Sequence, residues 1–245
     1  MCDLAFRCKR VLRLVDNTLL KEGATAAAVE NLCRASCTSL GQVAAVCVFP
    51  EFVPLARTRL QASGVKVATV VNFPHANLSA SELVDEVRSA REKGADEVDM
   101  VFPWRALLAG DSARGLSLVQ AARDACGDRL LLKVIIESGE LREPQLIGLA
   151  SELSIQGGAD FLKTSTGKTA VHATPEAARV MLTCIRDSGQ AIGFKASGGI
   201  QTLADAEKYL SLVVDLIGES GAAPARFRLG ASSLVKNLLD ATTST

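Results

Sequence analysis

Three observations predict a (β/α)8 TIM barrel. The chain has 245 residues, close to the roughly 250 typical of that architecture. Short apolar runs alternate with longer amphipathic ones about eight times, the pattern of a parallel sheet with crossover helices. Lysines also stand inside three consecutive strand-like runs, and only a closed ring of strands would let their side chains meet. Apolar residues make up 48% of the chain and aromatic residues 4%. The core is therefore aliphatic, which suits parallel strands buried on both faces.

Taken in order, residues 1–16 carry Arg7, Lys9, Arg10 and Arg13 and no apolar stretch long enough for a signal peptide. Asp3 and Asp16 argue against a transit peptide, so this segment reads as an opening helix of the domain, a short N-terminal extension. Strands are predicted over residues 43–49, 65–71, 97–102, 130–137, 161–164, 191–196, 212–217 and 226–229. Helices are predicted between them, over 79–93, 112–125, 143–156, 175–188 and 203–210. Ser79 with Glu82 forms a capping box. Thr174 followed by Pro175 and Glu176 fits an N-cap with proline at the first helical position. Gly94, Gly127 and Gly189 follow helices as C-cap glycines do. No proline- or serine-rich linker divides the chain, so residues 1–245 read as one barrel domain. An open doubly wound sheet is the alternative, but no GxGxxG follows the first strand.

Composition excludes several classes. Lys+Arg and Asp+Glu are both 27, so no general basic field attracts nucleic acid or a membrane surface. No run approaches 18 apolar residues. The seven cysteines are odd in number and lack zinc-site spacing. They read as free thiols of a reducing compartment, the cytoplasm. Cys33 and Cys37, one helical turn apart, read as buried small residues, and Cys47 as a core thiol. The two histidines, His75 and His172, are not spaced as metal ligands and read as loop residues, so neither a metal nor a cofactor is expected.

The informative anomaly is charge inside strands. Leu131-Leu132-Lys133-Val134-Ile135-Ile136-Glu137, Phe161-Leu162-Lys163-Thr164 and Gly193-Phe194-Lys195-Ala196 are strands by composition, and the strand before them reads Glu97-Val98-Asp99-Met100-Val101. Side chains alternate along a strand. If Val98, Met100 and Phe102 face the helices, Glu97 and Asp99 face the axis, and so do Lys133, Lys163 and Lys195. Lysine is almost never buried without a reason. Simple salt-bridge pairing accounts well for Lys133 with Glu97, but two lysines cannot neutralise each other. Lys163 beside Lys195 instead suggests an amine whose pKa is lowered by like charge and desolvation, as a Schiff-base nucleophile requires. The loops that follow agree. Thr164-Ser165-Thr166-Gly167-Lys168, Ser197-Gly198-Gly199-Ile200 and Gly230-Ala231-Ser232-Ser233 lie at strand C-terminal ends, where barrel active sites are built. Their glycines and the start of the last helix offer backbone amides to an anion.

These segments resemble the signature segments of the deoxyribose-phosphate aldolase family. The resemblance is nearly chain-long. It takes in Leu14-Val15-Asp16, Ala45-Val46-Cys47-Val48-Phe49-Pro50, Asn72-Phe73-Pro74-His75 and the stretch 94–105 as well. It implies reversible cleavage of 2-deoxy-D-ribose 5-phosphate to acetaldehyde and D-glyceraldehyde 3-phosphate, a step of deoxyribonucleotide catabolism. It also implies an imine on Lys163, tuning of that amine by Lys195, and proton transfer by Asp99. Lys168, Gly198, Gly199, Ser232 and Ser233 match positions around the phosphate, with Thr166, Gly167 and Gly230 in the same loops. Asp16 and Thr18 match positions near substrate hydroxyls, and Lys133 extends the relay or holds Asp99. The implied partner is a small phosphorylated sugar, and a homodimer or monomer is expected. Gln201 stands where many members carry arginine, removing one positive charge near the phosphate. Residues 243–245 lack the terminal tyrosine of some members; Tyr209, the only tyrosine, falls on a predicted helix. Two rivals stay open: another Schiff-base aldolase or transaldolase, and a barrel that binds sugar phosphates without catalysis.

Overall fold

The computed structural model describes residues 2–243. Met1 and the terminal Ser244 and Thr245, where a tail was expected to end without tyrosine, lie outside the described residues. Eight strands close into one barrel: β1 (Val15–Leu19), β2 (Ala45–Val48), β3 (Lys66–Val71), β4 (Glu97–Val101), β5 (Leu131–Ile135), β6 (Phe161–Lys163), β7 (Gly193–Ser197) and β8 (Phe227–Ala231). Every barrel pair is parallel, and β1 seals the ring by pairing with both β8 and β2.

The helices are α1 (Cys2–Leu12), α2 (Ala26–Ala35), α3 (Val53–Leu60), α4 (Ala80–Glu92), α5 (Trp104–Leu108), α6 (Ser112–Cys126), α7 (Ser138–Leu141), α8 (Pro144–Gln156), α9 (Pro175–Asp187), α10 (Leu203–Ile217) and α11 (Leu234–Thr243). None of the described helices is long and apolar enough to cross a membrane. The expected caps are present. Ser79 and Glu82 make the reciprocal capping box of α4, and Thr174 caps α9 ahead of Pro175.

Alternation sorts the strand residues into two populations. Val46, Val48, Val67, Val98, Met100, Leu132, Val134, Leu162, Phe194, Phe227 and Leu229 join the helices in one aliphatic core. Phe194 and Phe227 stack there with centroids 6.2 Å apart. A smaller cluster of Ala45, Cys47, Ala68 and Val70 forms the inward face of β2 and β3. Charged side chains of the other strands, Asp16, Glu97, Asp99, Lys133, Lys163, Lys195 and Arg228, also turn inward and are buried.

Two sequence-based boundaries need correction. The segment expected as an opening helix over 1–16 ends its helix at Leu12, and a strand, β1, begins at Val15. Its sequence Val-Asp-Asn-Thr-Leu is too polar to read as a core strand. Asp16 turns inward, and Asn17 satisfies its amide on the buried Ser36 hydroxyl at 3.0 Å. Conversely, residues 212–217 are not a strand but the last turns of α10. A short apolar run cannot by itself separate strand from buried helix. Here a Thr202–Asp205 capping box starts the helix, and Ala206, Tyr209, Leu210 and Val213 are buried at helical spacing. The count of eight strands thus holds with one strand exchanged. Cys37 also departs from expectation. It leaves α2 for a two-residue ribbon and is exposed, whereas Cys33 is buried.

Candidate active site

The inward charges meet in one buried network. The β-register sets their heights: Lys163 pairs with Lys195, Asp99 with Lys133, and Arg228 with Lys195. Asp99 is the hub. Its Oδ1 accepts from Lys133 at 2.8 Å, and its Oδ2 accepts from both Lys163 at 2.7 Å and Lys195 at 2.8 Å. Lys195 also donates to Asp16 Oδ2 at 2.5 Å. Lys133 lies 2.6 Å from Glu97 Oε2. Arg228 closes the base of the network, donating to Asp16 Oδ1 at 2.7 Å and to Glu97 Oε1 at 2.8 Å. All seven side chains are buried.

The four bases are not equivalent. Lys195 and Arg228 each face two carboxylates and Lys133 faces three, whereas Lys163 has half a share of one oxygen. Burial pushes the Lys163 amine below the ordinary lysine value, and Lys195 beside it adds to the push against the pull of Asp99. Burial acts the same way on Lys195, but Asp16 and Asp99 outweigh it and hold that group above its ordinary value, a firm ammonium. Lys133 is likewise raised, because Asp99 and Glu97 overcome its burial. Burial would raise Asp99, yet Lys133, Lys163 and Lys195 hold it well below the usual carboxylate range. The result is a contrast between Lys163 and Lys195, which are shifted in opposite directions. Acid partners create it as much as repulsion between the two amines does.

Above this network, at the C-terminal ends of the strands, lies a cup of about 430 Å³. Thr18, Thr166, Gly167, Lys168, Gly198, Gly199, Gly230, Ser232 and Ser233 all line it, as does Gln201. Asp16, Asp99, Lys133, Lys163 and Lys195 do not; all five are buried and engaged with neighbouring charges. Gly230 lets the cup approach the amines. A Cβ there would stand 2.4 Å from Ser197 Oγ and 3.0 Å from Lys195 Cε. Lys168 spans the mouth and donates to the Leu20 carbonyl at 2.6 Å. Among the described residues no group of His, Cys, Asp and Glu could hold a metal ion.

Several residues outside the expected set contribute. Arg228 belonged to a predicted strand, and the alternation that placed the lysines inward places it inward too. Glu137 takes a left-handed conformation after β5, and its carboxylate accepts from the Thr166 amide at 3.2 Å, fixing the loop after β6. No sequence pattern announces that conformation. His172, set aside as a loop residue, lines the cup, and its Nδ1 is buried without a partner. His75 is exposed in its loop.

A parallel barrel with buried amines beneath a hydroxyl- and amide-lined cup at the strand C-termini is the framework of a (β/α)8 enzyme acting on small polar molecules. The family model of the DeoC/LacD family aldolases matches residues 10–239. The chain belongs to that family of aldolases. Among solved structures, it is 31% identical to a protein provisionally named deoxyribose-phosphate aldolase from Coccidioides immitis, covering 96% of this chain and 87% of that one, with a TM-score of 0.84. A similarly named protein of Toxoplasma gondii ME49 is 27% identical over 99% of this chain and 96% of its own, with a TM-score of 0.91. A protein called QR15, an aldolase, is 30% identical over 95% of this chain and 96% of that one, with a TM-score of 0.81.

Proposed function

We propose that this aldolase cleaves 2-deoxy-D-ribose 5-phosphate reversibly to acetaldehyde and D-glyceraldehyde 3-phosphate, with Lys163 as the imine-forming residue of a single barrel domain. The observation that carries this reading is the unequal provision of acid: Lys163 is the one interior base with only a shared carboxylate oxygen. A neutral Nζ adds to the substrate C1 carbonyl, and the carbinolamine loses water to give a protonated imine. The C2–C3 bond then breaks. Its electron pair passes into the imine to form an enamine, while the C3 hydroxyl loses its proton and becomes the aldehyde of glyceraldehyde 3-phosphate. Protonation of the enamine carbon and hydrolysis release acetaldehyde and restore the amine.

Lys195, held as an ammonium, supplies protons, and Asp99, bonded to both amines, passes them on. The phosphate takes the cup. Lys168 exchanges the Leu20 carbonyl for phosphate oxygens, joined by amides of Gly198, Gly199, Ser232 and Ser233, with Thr166, Gly167 and Gly230 shaping the wall. That remote binding orients the reacting carbons. Thr18 reaches the sugar hydroxyls from the cup wall; Asp16 acts through Lys195, and Lys133 holds Asp99. The six described cysteines are all free, which supports a reducing compartment, the cytoplasm, and a place in deoxyribonucleotide catabolism.

Borohydride reduction with acetaldehyde, followed by peptide mass mapping, tests the assignment. A two-carbon adduct is expected on Lys163 and absent from Lys163→Leu. No adduct on the wild-type protein, or an adduct on another lysine, overturns it. A donor panel decides substrate class: turnover of dihydroxyacetone-type donors without acetaldehyde would assign a different sugar-phosphate aldolase.

A further inference from the structure

Three acids, Asp16, Glu97 and Asp99, face four bases in the barrel interior. With every group ionised the network carries one surplus positive charge. In a buried, low-dielectric space such a surplus is relieved by the group that can most readily give up its proton. Arg228 cannot do so, because a guanidinium stays charged in proteins. Lys133 is held by Glu97 and Asp99 with Asp16 3.9 Å away, and Lys195 by Asp16 and Asp99. Lys163 is the remaining candidate.

We propose that Arg228 is a positioning residue whose fixed charge occupies Asp16 and Glu97 at the base of the barrel, leaving the network one acid short and the Lys163 amine as the group that goes without its proton. The inference rests on the Lys163 assignment above and adds a distant cause for it. Arg228 lies one strand beyond Lys195 and has no direct bond to Lys163. Its Nη1 meets Asp16, its Nη2 meets Glu97, its Nε donates to the Pro224 carbonyl, and its guanidinium lies 5.7 Å from the Phe161 ring centroid. This placement is over-determined, so the charge is held in one position. Lys9, Arg13 and Lys66 share the recess at the outer end of Arg228; all three are cations exposed to solvent, which screens them.

Other groups act on Lys163 from three strands. Asp99 acts from β4, Lys195 from β7 and Cys47 from β2. The Cys47 thiol is pushed up to about 11, chiefly by burial, so it is neutral in the working range. Glu137, also buried, bonds the amide of Thr166 and forms no ion pair with any of these cations. The charge count therefore turns on the seven network members.

The experiment is a pH titration of the Lys163 side chain, read from its 13Cε and 15Nζ chemical shifts in full-length lysine-labelled protein and assigned by difference with Lys163→Met. Arg228→Met removes the surplus and should raise the Lys163 titration midpoint by roughly one pH unit. Glu97→Gln deepens the surplus and should lower it by a similar amount. The double variant should return to the wild-type midpoint, and Arg228→Lys, which keeps the charge, should stay close to it. General loosening of the barrel would admit water and move every variant upward, so the opposite shift in Glu97→Gln separates the electrostatic role from a merely structural one. If Arg228→Met does not fold, the direction of the Glu97→Gln shift decides. An unchanged or raised midpoint in folded Glu97→Gln overturns the proposal. Borohydride trapping on the same wild-type sample keeps the two readings apart. A missing Lys163 adduct overturns the proposed function and leaves the charge relation standing, whereas a normal adduct with unmoved titrations overturns only the role of Arg228.

Discussion

Replacing each of two interior lysines by methionine is expected to have unequal consequences for stability. Methionine keeps most of the hydrocarbon stem, so neither change leaves a large cavity. Lys133→Met removes the donor to Asp99 Oδ1, 2.8 Å away, and a basic partner of Glu97, both within a fully buried site. Breaking a buried pair by deleting one partner costs about 3–5 kcal/mol. Lys163→Met removes a donor from Asp99 Oδ2, which keeps Lys195 at 2.8 Å. The lost charge-assisted hydrogen bond, about 1.5–3 kcal/mol, is offset by removing a buried amine from a network already rich in positive charge. The Lys163→Met protein should therefore fall within about 1 kcal/mol of wild type, or exceed it, while losing all imine chemistry. In a chain of this size 1 kcal/mol moves Tm by roughly 2–4 °C, so the two variants should melt on the order of 10 °C apart. Equilibrium urea unfolding followed by far-ultraviolet circular dichroism near neutral pH, with thermal melts in parallel, measures the difference. If Lys163→Met loses as much stability as Lys133→Met, the claim that Lys163 is the poorly provided base is wrong.

Further outcomes follow from the same geometry. Asp99 and Asp16 are both held below their ordinary value against the opposing effect of burial, Asp99 by the three lysines and Asp16 by Lys195 and Arg228. The native protein therefore binds fewer protons than the unfolded chain. Stability should be full above the unfolded carboxylate value of about 4 and drain as the pH falls through and below it. A urea midpoint that stays level through that range contradicts this. Gly193→Ala places a Cβ 2.4 Å from the Phe161 ring, inside the barrel. It should cost about 1–3 kcal/mol, recovered in part by Phe161→Leu, and a neutral effect in chemical denaturation would argue against tight packing there. Lys168→Met should raise KM for the phosphorylated sugar by about 10- to 100-fold, the equivalent of one charge-assisted bond. Unphosphorylated 2-deoxyribose should be turned over as before; equal losses for both sugars in steady-state assays would remove Lys168 from the phosphate site.

The fold was legible where alternation and charge coincide. Lys133, Lys163, Lys195 and Asp99 could be placed inward from period-two spacing alone, because each is flanked by residues such as Leu132, Leu162 and Phe194 that pack on the helices. The same spacing would have found Arg228 between Phe227 and Leu229. The strand carrying Asp16 escaped notice because its outward Asn17 is polar and privately bonded to Ser36, so no apolar rhythm survives. The run 212–217 misled for the opposite reason, being apolar but for Asp215 on a helix whose inner face it continues. What no linear pattern carried was the pairing itself, namely which acid holds which base. That depends on register between strands distant in the chain, as between Asp16 and Arg228, and on the left-handed turn at Glu137.

The barrel lumen is lopsided. Ala45, Cys47, Ala68 and Val70 line one side with short hydrocarbon and a neutral thiol, while the ionic lattice occupies the other. Short hydrocarbon and the ionic lattice are thus encoded on different strands. Trimming or enlarging β2 and β3 residues would change the packing beside the ionic lattice without removing any of its charged members.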